Sequence, residues 1–128
     1  MAEMSNYLEN ALINATLRNT TYTSPATVYL GLYTTNPTDA DTGTEVSGGS
    51  YVRQAITMGA PSNGVSTNTI AIEFPQATAA WGTVAYVGIR DSLTTGNLLY
   101  HTALDVSKAI DIGDIFKIAI GSLSVTLA

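Results

Sequence analysis

The apolar residues of this chain follow one spacing before Pro25 and another after it, and this change limits the fold more than any other feature. Before Pro25 they fall at the spacing of one face of an α-helix. They are Met4, Leu8, Ala11, Leu12 and Ala15. The pattern predicts a helix over residues 6–17, with Asn6 as N-cap and Glu9 completing a capping box. The apolar stripe packs either on the chain's own sheet, which we favour, or on a neighbouring subunit.

After Pro25 the apolar residues alternate with polar ones or form short runs, which indicates β-strands separated by turns. In the first segment Val28, Leu30 and Leu32 fall on one face. We predict about seven strands, over residues 26–34, 51–58, 69–74, 83–90, 97–104, 115–120 and 122–127. Their spacing favours an antiparallel β-sandwich or a small barrel over alternating β-α-β units. The predicted fold is therefore mainly β: one domain over residues 1–128, with a helix in residues 1–18 and a sandwich in residues 26–128.

Charge and composition exclude several classes of protein. Only 12% of residues are charged, and ten acids against five bases give a formal net charge of −5. The bases stand singly, so we predict no direct contact with nucleic acid. The chain has no cysteine, which excludes disulfides and thiolate metal sites. We expect no signal peptide and no membrane partner, because no basic and then apolar N-terminus and no membrane-length apolar run is present.

The segment 35–50 is a sixteen-residue loop with almost no apolar side chains. A loop of this length in a small domain usually binds something or is mobile. Asp39, Asp41 and Glu45, with Gly43 between them, superficially resemble a calcium loop, but the ligand run and distal glutamate of an EF-hand are missing. We therefore interpret these acids as solvated turn residues and predict no metal site.

No group of residues predicts catalysis or a cofactor. His101 is the single histidine, and it lies in a predicted strand, so we expect it at a half-buried sheet surface. A G-x-S-x-G motif is absent. Glu73 and Asp91 could supply the two carboxylates of a glycosidase, but nothing in the sequence pairs them. The chain is therefore predicted not to be an enzyme.

Two aromatic residues, Tyr33 and Trp81, have two open interpretations. Tyrosine and tryptophan favour interfaces, so they could form a surface that binds a subunit or a sugar. Alternatively, they pack on the chain's own sheet. Trp81 lies among small residues that do not continue a strand.

Four segments carry a resemblance to a known family. They are NYLENAL (residues 6–12), PATVYLGLYTTNP (25–37), GTEVSGGSYVRQ (43–54) and FPQATAAWGTV (74–84). The sequence resembles a family of small phage virion proteins whose members are commonly labelled tail-fibre proteins. Similar β-sandwich chains serve as cement proteins on the heads of some tailed phages. The resemblance implies a structural component of the virion and brings no catalytic residues with it.

On this basis we favour a capsid decoration protein that binds the outer face of the head. The alternative is a small tail-fibre or baseplate component, with or without binding of a host glycan. A tail fibre would more often be a long chain with a shaft. The expected partners are the major capsid protein and sister subunits in a homotrimer, assembled in the host cytoplasm. The hypothesised interface residues are Tyr7, Leu8, Leu12, Tyr33, Asp39, Asp41 and Trp81. We also expect that deletion of residues 1–18 leaves the sandwich folded.

Overall fold

Antiparallel strands dominate the chain, which confirms the predicted mainly-β class. The computed structural model describes residues 2–127, so Met1 and Ala128 of the predicted domain lie outside the described residues. The elements are β1 (Glu3–Met4), α1 (Asn6–Leu17), β2 (Val28–Tyr33), β3 (Gln54–Ile56), β4 (Val65–Thr67), β5 (Ile72–Glu73), β6 (Gly82–Arg90), β7 (Leu98–Ile110), β8 (Lys117–Ile118) and β9 (Ser124–Thr126). The helix has the predicted bounds.

The strands form one larger sheet and two small ones. The five-stranded sheet has the order β1-β7-β6-β2-β3, and the two-stranded sheets are β4-β9 and β5-β8. Every pairing between these strands is antiparallel. The long hairpin of β6 and β7 forms the middle of the large sheet, and its register shifts between Val84 and Tyr86.

One face of the large sheet forms the hydrophobic core. Side chains alternate along a strand, so Leu30 and Leu32 of β2 lie on the same face as predicted. Both are fully buried, and Val87 and Ile89 of β6 are buried beside them. The facing layer comes from the small sheets and the segments beside them, and it contributes Ile72, Phe74, Phe116, Leu123 and Val125 to the same core. This two-layer, sandwich-like arrangement is the predicted architecture.

The helix begins with a different cap from the one predicted. Ser5, not Asn6, is the N-cap: its hydroxyl accepts a hydrogen bond from the backbone N–H of Leu8 at 3.2 Å and donates to the carbonyl of Leu98. Ser5 is 1% exposed, whereas Asn6 is exposed. The prediction was wrong because both residue types cap helices well, and only the contact with Leu98 distinguishes them.

The helix packs on its own sheet, near the start of β7. Leu8 is buried, and Ala11, Leu12 and Ala15 of the predicted stripe are half-buried. This is the favoured alternative of the two.

The strand bounds differ from the predicted ones in places. Within residues 2–127 there are nine strands, and β1 and β4 lie outside the predicted segments. The predicted strand 69–74 shortens to β5 because the buried Asn68 side chain occupies the backbone that would pair there. Asn68 donates from Nδ2 to the carbonyls of Ile70 at 3.0 Å and Ala119 at 3.1 Å. Conversely, the predicted strand 97–104 continues to Ile110, because β6 pairs with its polar second half.

Candidate functional site

The second face of the large sheet carries small and polar residues. Gly31 of β2 lies opposite Gly88 of β6, which lies opposite His101 of β7, so all three share this face. Tyr33 and Arg90 share it because each lies two residues from one of the glycines. A Cβ atom on Gly88 would lie 2.8 Å from the Tyr33 ring, so the glycine gives the ring room to lie along the sheet.

Residues 35–50, which we call the covering loop, cross this second face. The three acids of the loop contact three different basic side chains: Asp39 pairs with His101, Asp41 with Arg90, and Glu45 with Arg53. Since these basic residues belong to β7, to β6 and to the residue before β3, the acids follow the order of the strands across the sheet. The interpretation of the acids as solvated turn residues is therefore wrong. They attach the loop to the sheet.

Arg90 is the most extensively bonded of these basic residues. Its guanidinium holds Asp41 through two parallel hydrogen bonds, Nη1–Oδ1 at 2.8 Å and Nη2–Oδ2 at 2.9 Å. Nη1 also donates to the hydroxyl of Tyr33 at 3.0 Å. Although burial alone would lower the pKa of Arg90, the bonds to Asp41 and Tyr33 raise it above its ordinary value. Arg90 therefore remains charged.

Glu45 belongs to a second group of polar side chains, in which Arg53 is buried and Glu45 and Tyr51 are half-buried. Its carboxylate accepts bonds from Arg53 Nε at 2.8 Å and Nη2 at 2.7 Å, and from the Tyr51 hydroxyl at 2.5 Å. Burial acts to raise the pKa of Glu45, but the bonds from Arg53 and Tyr51 outweigh it, so the pKa lies below its ordinary value. Burial, and then the bond to Glu45, raise the pKa of Tyr51. This phenol therefore stays protonated.

The same two arginines hold the turn between β6 and β7. Arg53 Nη1 donates to the carbonyls of Ser92 at 2.9 Å and Thr95 at 2.8 Å. Arg90 donates to the carbonyls of Thr95 at 3.2 Å and Gly96 at 2.9 Å. The two arginines thus tie the covering loop and this turn to one sheet, and sequence analysis did not find that role. The sequence gives one indication of this role: Arg90 is an arginine at the end of a mostly apolar predicted strand.

His101 and Asp39 form the third attachment. His101 is 5% exposed, so it is buried and not half-buried as predicted. Its Nε2 lies 2.8 Å from Asp39 Oδ1. The backbone N–H of Asn6 donates to the Asp39 carbonyl at 2.8 Å, which brings the start of α1 beside the covering loop.

The acids considered for a calcium site or a glycosidase site each contact a different partner in the structure. Asp39, Asp41 and Glu45 bind separate basic side chains, so they do not converge on a calcium ion. Asp91 closes the β6–β7 turn, where its Oδ1 accepts from the backbone N–H of Asn97 at 2.7 Å. Glu73 of β5 is exposed, and its carboxylate lies 3.7 Å from Nζ of Lys117 on the paired strand β8.

The structure places the two aromatic interface residues inside the chain. Tyr33 is 1% exposed and Trp81 is 5% exposed. Trp81 donates from Nε1 to the carbonyl of Gly49 at 2.8 Å and packs edge-on against Tyr51 at a centroid distance of 5.4 Å. Of the other hypothesised interface residues, Leu8 is buried, Leu12 is half-buried and Tyr7 is 43% exposed.

Two groups of apolar side chains face solvent. Ile13 and Leu17, which we call the helix surface, are 52% and 79% exposed and lie four residues apart, on the opposite side of α1 from Leu8. Val106, Ile112 and Ile120, which together we call the distal surface, are 65–73% exposed. Val106 belongs to the second half of β7, and the other two follow β7 in the sequence. Sequence analysis did not find either group.

Within the described residues, the structure has no helix of the length and apolarity needed to cross a membrane. A family model described as Podophage GP4 fiber I protein gp80 matches residues 3–126. That range includes every helix and strand of the structure. No curated protein matches the chain.

Proposed function

The chain belongs to the family described as Podophage GP4 fiber I protein gp80, a family of phage virion structural proteins, and on this premise we propose that it is a structural subunit of a phage tail fibre. The membership confirms the resemblance seen in the sequence. The match over residues 3–126 is the observation that carries the proposal, because it spans the whole described fold and not one motif.

A fibre subunit must bind neighbours on more than one side, and the two exposed apolar groups supply two such surfaces. The helix packs near the start of β7, whereas Val106 lies five residues beyond His101, roughly 17 Å further along that strand. A groove of about 460 Å³ also lies beside Val106, between β7 and residues 116–124. We propose that neighbouring virion subunits bury the helix surface and the distal surface.

A virion component must also keep its shape under load, and the attached covering loop suits this need. Two arginine–carboxylate ion pairs, the bond between His101 and Asp39 and the three carbonyls held by the arginines fix two loops against one sheet. Among residues 2–127 every buried side-chain nitrogen and oxygen has a hydrogen-bond partner. We therefore propose that the loop presents a rigid surface.

Capsid decoration is the second candidate function. Surfaces near both ends of a 13-residue strand would also let a small β-rich unit bridge neighbouring shell subunits. Under this alternative the major capsid protein and sister subunits, arranged as a trimer, would bury the same two surfaces. Copy number and position on the particle separate the two functions.

We propose that neither function involves catalysis. Asp91 and Glu73 would be the carboxylates of a polysaccharide-degrading site, but Asp91 is engaged in a turn and Glu73 pairs with Lys117. Purified protein is expected to clear no host polysaccharide. Clearing that is lost in both Glu73→Gln and Asp91→Asn would contradict this proposal.

The two surfaces can be tested by incorporation into particles. A phage lacking the gene is supplied with the protein carrying Leu17→Ser or Val106→Ser, and the chain is quantified in purified particles. Both side chains are largely exposed, so each variant should unfold within about 0.5 kcal/mol of the wild type. Each should nevertheless lower incorporation at least about tenfold, since one large apolar contact is worth this much.

Leu93→Ser is the matched control, because Leu93 is 45% exposed on the β6–β7 turn and belongs to neither surface. It should be incorporated like the wild type. If Leu17→Ser and Val106→Ser are incorporated as well as Leu93→Ser, the proposed surfaces are wrong.

A further inference from the structure

Glu3, Asp39 and His101 bring three metal-ligating side chains together from separate parts of the chain. Glu3 lies on β1, Asp39 in the covering loop and His101 on β7. One ligand atom from each residue lies within 4.8 Å of the other two. We propose that these residues bind a divalent transition-metal ion such as Zn²⁺.

The donor set suits such an ion. Imidazole nitrogen is a preferred ligand of Zn²⁺ and its first-row neighbours, and carboxylate oxygens complete many of their sites. His101 is 5% exposed on a paired strand, so its Nε2 offers a fixed nitrogen. The flexible ligand is Glu3, which is exposed and whose carboxylate makes no hydrogen bond or ion pair within residues 2–127.

The distances fit a tetrahedral ion after a small adjustment. Ligands at about 2.0–2.1 Å from Zn²⁺ lie about 3.3 Å from one another. The Nε2–Oδ1 distance between His101 and Asp39 is 2.8 Å, so this pair must open slightly. The Glu3 carboxylate must move inward from within 4.8 Å, and rotation of its exposed side chain provides that movement.

Asp39 also differs from the other two acids of the covering loop in the partner that it faces. Asp41 and Glu45 face arginines, which are permanently charged and occupy the carboxylates fully. Asp39 instead faces an imidazole, whose ring nitrogen is itself a metal-ligating group. The carboxylates of Asp39 and Glu3 therefore lie beside a nitrogen ligand, and this combination attracts a cation.

The group is open to a metal ion from solvent. A cleft of about 470 Å³ lies over the three residues, and its other walls include Asn6, Asn36 and Thr38. These polar side chains leave space for water in a fourth ligand position. A bound ion would join β1, the covering loop and β7, so it should raise the melting temperature by mass action. Its affinity should fall at acid pH because all three ligands must be deprotonated.

The test uses the full-length chain and ZnCl₂. Calorimetric titration should show one bound ion per chain. Because His101 is the single histidine, its imidazole NMR signals report directly on the site and should shift as Zn²⁺ is added. Glu3→Gln removes an exposed ligand whose carboxylate makes no hydrogen bond or ion pair within residues 2–127, so the variant should fold normally and bind Zn²⁺ at least about tenfold more weakly.

Glu9→Gln is the control, since it removes the same charge from the neighbouring helix without touching the group. It should bind like the wild type. The proposal is overturned if Zn²⁺ leaves the imidazole signals unchanged, or if Glu3→Gln and Glu9→Gln bind with the same affinity as the wild type.

Discussion

Arg90 is a charged side chain that is buried in a small β protein. It is 6% exposed, yet all five of its N–H donors have acceptors: two on Asp41, one on Tyr33 and two on backbone carbonyls. A lysine could not reproduce this planar arrangement. Burial of this charge is tolerable because no donor is left without a partner.

Arg90→Met is expected to destabilise the fold by about 2–3 kcal/mol, because it leaves the Tyr33 hydroxyl, the Gly96 carbonyl and the Asp41 carboxylate without their arginine donor. The cost stays below that of a fully buried ion pair, since the Asp41 side chain is 35% exposed. Urea unfolding measures the difference. Arg18→Met, at the exposed end of the helix, is the control and should change the free energy of unfolding by less than about 0.5 kcal/mol. Equal effects of the two variants would contradict the role given to Arg90.

The lowered pKa of Glu45 predicts a loss of stability at acid pH. The folded pKa lies below the ordinary value of 4.5, so the unfolded chain binds a proton first as the pH falls. The stabilisation from Glu45 is therefore complete above about pH 4.5 and is lost as the pH falls through the folded pKa. Glu45→Gln should lower stability at pH 7 and flatten its dependence on pH below 4.5.

The control for this prediction is Glu73→Gln, which removes an exposed carboxylate at 3.7 Å from Lys117. Melting temperatures measured from pH 3 to pH 7 should follow the wild-type curve for Glu73→Gln. If the melting temperature of Glu45→Gln changes with pH in parallel with that of the wild type, the Glu45 carboxylate is not the cause of the stability lost at acid pH.

At the scale of elements, the structure distinguishes Ser5 from Asn6 as the N-cap of the helix, although both residue types cap helices well. Ser5→Ala should cost about 1–3 kcal/mol, because it removes the N-cap bond to Leu8 and leaves the buried Leu98 carbonyl without its hydroxyl donor. Asn6→Ala should cost less than about 0.5 kcal/mol, since Asn6 is exposed and its backbone bond to Asp39 is kept. Urea unfolding of both variants decides between the caps. A larger loss for Asn6→Ala would restore the cap predicted from sequence.

Elements with a strong period were predictable, and those held by distant partners were not. The helix and β2 followed directly from the spacing of their apolar residues. β4 was missed because its Val65–Thr67 segment is short and mostly polar, and it is a strand only through its pairing with β9. The covering loop was predicted as a loop, but its attachment depends on Arg53 and Arg90, which lie far from its acids in sequence. Local patterns do not contain such pairings.

At the scale of the whole molecule, the N-terminal segment proves to be part of the fold. Ala2 lies in the core, Ser5 bonds to Leu98 and Leu99, and β1 pairs with β7. Deletion of residues 1–18 should therefore lower the free energy of unfolding by several kcal/mol, contrary to the expectation from sequence. Urea unfolding of the truncated chain measures this. A truncated chain that unfolds at the wild-type midpoint would show that the helix is a detachable element.

The position and number of copies on the particle test the central claim most directly. Antibody-gold labelling of purified virions, combined with quantified protein bands, gives both values. A tail-fibre subunit should be labelled on the tail and be present in a number on the order of a dozen or a few dozen, set by the closed symmetry of the tail. Label spread over the head, with hundreds of copies comparable to the major capsid protein, would contradict the fibre proposal and support capsid decoration.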